Sequence, residues 1–161
     1  MVDGKEESIS SVHFLKTDPK ARYQGYTFYF REGFCWIDVN STYLKARIKA
    51  NGVFDVLSMS LFTMTELPDW YYVSLINSEF ISLYVDNFIN NTSHFQINDA
   101  RQLPIVIPCQ ETLNYLKNIV YDCIKIKKMM YSKSQNSSLC ECRHKILQKK
   151  LDDAILRLYG I

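Results

Sequence analysis

The stretch from Asn90 to Pro108, NNTSHFQINDARQLPIVIP, divides the chain into two regimes. Before it the sequence is aromatic and strand-like, and after it come two long amphipathic segments. Asn90-Asn91-Thr92-Ser93 ends a helical pattern, Phe95 to Ile97 is a short apolar run, and Pro104 and Pro108 enclose three aliphatic residues. Those three predict a very short strand. Because proline has no N–H to give a ladder, a strand bounded by two prolines belongs at a sheet edge.

Outward from this joint toward the N-terminus, Leu67-Pro68-Asp69 breaks the chain and sets Asp69 to cap the segment after it. Val73, Ile76, Phe80, Tyr84 and Phe88 then recur at helical spacing, with Ser78, Ser82 and Asp86 as the polar stripe between them. The pattern predicts one helix, or two joined near Asn77-Ser78. Further back, Asn51-Gly52 is a strong hairpin signal, since a type I′ turn needs two residues at positive φ. It predicts Ala50 paired with Val53. In that register Leu44, Ala46 and Ile48 share a core face with Val53, Leu57 and Met59, and Tyr43, Lys45, Arg47 and Lys49 form a basic ladder on the other face. Asp55 falls on the core side, which suggests a bulge or a shorter hairpin. Tyr26, Phe28 and Phe30 alternate as in a strand, Glu32-Gly33 turns the chain, and Phe34 to Val39 makes a second strand ended by Asn40-Ser41-Thr42.

Outward toward the C-terminus, Leu113, Leu116, Val120, Cys123 and Met130 mark an amphipathic helix, interrupted at Lys127 and running to about Tyr131. A polar link from Ser132 to Ser138 comes next. Ser138 and Glu141 read as a capping box, and Leu147, Leu151, Ala154 and Leu158 make the seam of a second helix closed by Gly160. These two helices form an αα-hairpin. The fold class is therefore α+β, a small antiparallel or mixed sheet with packed helices followed by a C-terminal two-helix hairpin. The expected organisation is a disordered or truncated linker over residues 1–15, an α+β domain over 16–108, and a spacer or docking hairpin over 109–161.

A chain of 161 residues that is 47% hydrophobic can bury a core without staples. Its net charge of +2 is unevenly spread. Lys16 to Lys49 carries seven basic residues against three acidic ones, and Gln110 to the end carries ten against five, so the middle is acidic. Basic ends can offer an anion-binding face without a high overall pI. Five cysteines, an odd number at irregular spacing, with neither a signal peptide nor an apolar span of membrane length, point to a reduced cytoplasmic protein, with most thiols in the core and no membrane partner.

No sequence signature of an enzyme is present: there is no Gly-rich phosphate loop, no paired histidines of a metalloprotease, no G-x-S-x-G elbow and no Asn-Pro-Pro-aromatic loop. Cys140, Cys142 and His144, with Cys123 nearby, are zinc-ligand types. Their i, i+2, i+4 spacing on a helix does not bring them to one side, and no metal is expected. A Cys109–His94 nucleophile pair lacks an orienting third group.

Nucleic-acid contacts draw on two residue types. Lys and Arg meet phosphates, whereas planar bidentate groups meet base edges. The ladder Tyr43, Lys45, Arg47 and Lys49 offers the first type, with Lys20 and Arg22 upstream, and the joint offers the second in His94, Gln96 and Arg101. The competing reading makes the ladder an ordinary solvated strand face and lets Asn98 or Asp99 cap a one-turn helix with Arg101 paired to an acid.

The run FINNTSHFQINDARQLPIVIP resembles the close of the target-recognition domain in single-chain, Type IIG-like restriction–modification adenine DNA methyltransferases, the TaqI-like C-terminal specificity domain. More distantly it resembles the repeated domains of Type I restriction specificity subunits. YTFYFREGFCW, YLKARIKANGVFDVLSMSLF, WYYVSLINSEFISLYV and LDDAILRLYGI look like further blocks of that domain in the same order, covering about Lys16 to Ile161. The resemblance implies a reader of double-stranded bacterial DNA. It implies an upstream methyltransferase domain in the same polypeptide, in some members with a nuclease. S-adenosylmethionine is then a cofactor of that upstream domain and not of this chain. Recognition positions vary in the family, so no base-reading residue carries over by motif. The alternative from another class is a protein-assembly module built on the helical hairpin.

Overall fold

A computed structural model describes residues 13–20, 25–40, 43–54, 58–132 and 137–161. Expectations for Arg22, the breaker at Ser41-Thr42, Asp55 and most of the link before Ser137 fall outside those residues, as does nearly all of the expected N-terminal linker. The architecture is α+β. A 3₁₀ turn (Tyr26–Phe28) leads to strands β1 (Gly33–Ile37), β2 (Ala46–Lys49) and β3 (Ser58–Leu61), followed by helices α1 (Asp69–Ile76), α2 (Glu79–Phe88), α3 (Ile97–Ala100), α4 (Gln110–Tyr131) and α5 (Ser137–Leu158). Residues 13–17 are also helical.

The sheet is antiparallel with order β2-β1-β3, Trp36 standing between Ala46 and Met59, and Phe34 between Ile48 and Leu61. β1, whose Phe34, Cys35 and Trp36 are all buried, takes the centre and is paired along both edges. This overturns the Asn51-Gly52 hairpin. β2 and β3 do not pair but lie on opposite sides of β1, and Asn51 has φ 44° while Gly52 lies outside the left-handed region. The expected strand at Tyr26 to Phe30 is also corrected: these residues form the 3₁₀ turn and its exit, with Phe30 at φ 63°.

α1 is apolar all round because it is a middle layer, packed against β1 and β2 on one side and α4 on the other. Phe34 stacks on Tyr72 at 5.5 Å, and the Trp36 indole, 1% exposed, donates to the Phe95 carbonyl at 2.8 Å. The chain breaks at Asn77-Ser78, and Ser78 caps α2 by accepting from the Ile81 N–H. Pro68, not Asp69, occupies the position before α1, and the Asp69 carboxylate accepts from the Thr63 hydroxyl instead. The serine stripe of α2 faces inward, contrary to the periodicity. Ser82 is buried because its hydroxyl accepts the Leu44 N–H, while Phe88 is exposed.

α4 and α5 pack side by side, and Leu116, Ile119, Val120, Leu151, Ala154 and Ile155 belong to the same core as Phe34 and Trp36. α4 is not interrupted at Lys127, since Ile126 beside it is buried and holds the turn in place. Ser138 is the second residue of α5 rather than its cap. At the other end Gly160, φ 76°, donates to the Arg157 carbonyl and Ile161 to the Leu156 carbonyl, the paired bonds of a Schellman close. The five cysteines are free. Cys35 and Cys140 are buried, but Cys109 and Cys142 are exposed, fewer core thiols than their apolar surroundings in sequence suggest. Among the described residues no helix is long and apolar enough to cross a membrane.

Candidate nucleic-acid interface

The candidate surface is the sheet face opposite α1. Strand register puts Cys35, Arg47, Lys49 and Ser60 on one face and Phe34, Trp36, Ala46 and Met59 on the other, because cross-strand partners share a side and neighbours alternate. The Tyr43 to Arg47 alternation therefore holds: Leu44 and Ala46 are core, while Tyr43, Lys45 and Arg47 are exposed. Beyond Arg47 exposure reverses, with Ile48 exposed and Lys49 only 8% exposed. The register has not slipped. Each face is simply covered along part of its length. The helices reach Trp36 and Ala46 but stop short of Ile48, and on the opposite face Phe54 and Phe62 close over Lys49 at 4.5 and 5.3 Å. The open ladder is thus Tyr43, Lys45 and Arg47, with Lys49 removed from it.

The outer edge of β2 is not left bare. The Asn77 side chain accepts from the Ala46 N–H (2.6 Å) and donates to the Ala46 carbonyl (2.9 Å), standing in for a fourth strand. With the groups of Ala46 turned outward, those of Asp38 and Asn40 point to the other side of β1. There the Phe95 N–H donates to the Asp38 carbonyl, the Asn40 N–H donates to the Ser93 carbonyl, and Val39 bridges His94. The joint and the ladder therefore lie on opposite sides of β1.

His94 is the exposed member of a pair whose partner no local pattern signals. Its Nδ1 lies 2.9 Å from Asp38 Oδ2, and the aspartate side chain is 12% exposed against 55% for the imidazole. The buried carboxylate orients the exposed ring, and among the described residues Asp38 Oδ1 has no hydrogen-bond partner. Asp38 counted in the sequence only as a charge, and the 56 residues between the two hide the pair. Gln96 stands at the N-cap of α3, where its N–H donates to the Asp99 carboxylate at 2.8 Å, and the Arg101 guanidinium donates to Asn98 Oδ1 at 3.2 Å. Asp99 is thus the helix-internal half of the cap, and Arg101 is tied to Asn98 rather than to an acid. Lys20 is exposed, and its N–H donates to Asp18 Oδ1.

The end of the joint is held by two phenols. Tyr71 donates to the Val106 carbonyl at 2.6 Å, and Tyr159 donates to the Pro104 carbonyl. Burial pushes the Tyr159 hydroxyl up to about 12, with Tyr84 adding to it, and raises Tyr71 further through burial and its tyrosine neighbours, so both stay donors. Residues 104–108 form no strand: hydroxyls rather than a neighbouring ladder take the carbonyls of Pro104 and Val106. Ile105 and Ile107 are left exposed. Among the described residues no group of three or more His, Cys, Asp or Glu could hold a metal ion. Cys109 bonds Thr112 Oγ1 at 3.2 Å, which lowers its thiol below the usual range.

Fold and surface together define an α+β protein with a half-open basic sheet face beside an Asp-oriented histidine. No protein-family model and no curated protein matches the chain.

Proposed function

We propose that this chain is a DNA target-recognition domain, working with a methyltransferase domain, and in some arrangements a nuclease, upstream in the same polypeptide. The observation that carries the reading is the open half of the sheet face, where Arg47 of β2 is exposed together with Tyr43 and Lys45 of the segment that leads into the strand. A duplex laid across this face meets two cations for its backbone. The joint, on the other side of β1, offers His94, Gln96 and Arg101 as planar groups suited to base edges. Methylation of adenine belongs to the upstream domain, as does S-adenosylmethionine. Free thiols and the absence of a membrane-crossing helix among the described residues support a cytoplasmic setting.

A labelled duplex titrated over a range of salt tests the reading. Each neutralised phosphate contributes about −0.9 to the slope of log affinity against log salt. Lys45→Ala and Arg47→Ala should each reduce that slope by about one contact. Binding that is absent at low salt, or indifferent to salt, refutes the proposal. An assembly role is favoured by one observation, the exposed Ile105 and Ile107 of the joint. A stable oligomer with no affinity for DNA would select it.

A further inference from the structure

Lys49 continues the row of Lys45 and Arg47 on the same side of β2, where alternate residues recur about every 6.8 Å. Unlike them it is buried, and its Nζ has no hydrogen-bond partner among the described residues. Lysine is almost never fully buried unless paired, since its stem is long enough to lift the ammonium into water. Among the described residues, only the faces of Phe54 and Phe62 meet the charge. Ser60, on the same sheet face, also has a buried hydroxyl without a hydrogen-bond partner among the described residues. This face therefore carries two buried polar atoms that no described residue satisfies.

The cover belongs to no regular element. Phe62 lies against Phe28 at 5.1 Å and against Phe54 at 5.9 Å, and Phe54 meets Tyr29 at 5.1 Å. Its two loops are joined by the Phe30 N–H donating to the Gly52 carbonyl at 2.9 Å. Among the described residues, the two non-glycine positions at positive φ, Phe30 and Asn51, both lie in these loops. Asparagine tolerates that region, but a phenylalanine there is strained and is held by what surrounds it.

We propose that Lys49 is a latent phosphate contact. When a DNA backbone occupies the open half of the face, the Phe54–Phe62 cover gives way and Nζ swings out to bind the next phosphate beyond Arg47. This inference rests on the DNA reading and adds a conformational step to it. The closed cover lowers apparent affinity by the fraction of molecules that are open, and a neighbouring polyanion opposes the cover by attracting the buried charge.

Three variants of the full chain test this on the same duplex. Lys49→Met keeps the length of the stem and removes the charge; it should fold with undiminished thermal stability and reduce the salt slope by about 0.9. Lys49→Arg should restore the slope, which separates charge from packing. Phe54→Leu weakens the cover and should tighten binding several-fold with the slope unchanged, whereas a ring that itself touched DNA would weaken binding when truncated. An unchanged slope for Lys49→Met, or weaker binding by Phe54→Leu, overturns the inference while Lys45→Ala and Arg47→Ala still report on the DNA reading. If the unmodified chain binds no duplex, both fall together.

Discussion

Replacing Asn77 with alanine removes the group that closes the sheet edge. At this position φ is −82°, which alanine adopts freely, and Gln148 donates to the Asn77 backbone carbonyl, so only side-chain bonds are lost. Those are the two bonds to Ala46, at 2.6 and 2.9 Å. A neutral hydrogen bond contributes about 0.5–1.5 kcal/mol net, and a backbone group left dry costs about 1–3 kcal/mol. The edge is partly buried, so water reaches it incompletely, and the expected loss is about 2–3 kcal/mol. For a domain of this size that lowers Tm by about 4–12 °C. Urea unfolding followed by the fluorescence of Trp36 and Trp70, both buried, measures it directly. Asn77→Asp should cost at least as much, because a carboxylate can still accept from the Ala46 N–H but has no proton for the Ala46 carbonyl. A bared edge strand should also make the alanine variant more prone to associate. A loss below about 0.5 kcal/mol, the range of an ordinary surface substitution, would refute the idea that this amide guards the edge.

Leu151, 4% exposed between α5 and the rest of the core, should not tolerate charge: Leu151→Asp is expected to destabilise by about 3–5 kcal/mol in the same unfolding assay, and unchanged stability would place the seam elsewhere. His144 should make stability pH-dependent, since burial, with Lys127 beside it, holds the imidazole below its ordinary 6.5. The unfolded chain therefore takes up the proton first as pH falls through that value, and stability drops until the folded group also protonates. Comparing Tm between pH 7.5 and 5.5 should give a shallower decline for His144→Gln, and parallel curves would count against it. Under the proposed DNA reading, Lys45→Ala and Arg47→Ala should weaken all duplexes alike, whereas loss of a true reader, Gln96 or Arg101, should cost about 1–3 kcal/mol on the cognate site alone. If both of those variants keep full discrimination on single-mismatch duplexes, base readout lies outside this group.

What the sequence determined by itself is the part set by short-range physics. The close at Gly160 was legible because only a residue at ease with positive φ ends a helix that way, whereas at Asn77-Ser78 the sequence left one helix or two open and the Ser78 cap decided for two. The two long helices followed from their apolar spacing, and the alternation from Tyr43 to Arg47 from the two-residue period of a strand. The tertiary structure alone decided strand order. Asn51-Gly52 carries a strong local hairpin preference, but β1 has the most apolar surface to bury and takes the centre, which sends β2 and β3 to opposite sides. It also decided which part of each face is covered. A period says which residues share a side, but only the lengths of the packed helices and the reach of Phe54 and Phe62 leave Ile48 in solvent and enclose Lys49. The pairing of Asp38 with His94 and the inward turn of Ser82 arise the same way. Each depends on a partner dozens of residues distant, brought close by the sheet and by no local preference of its own.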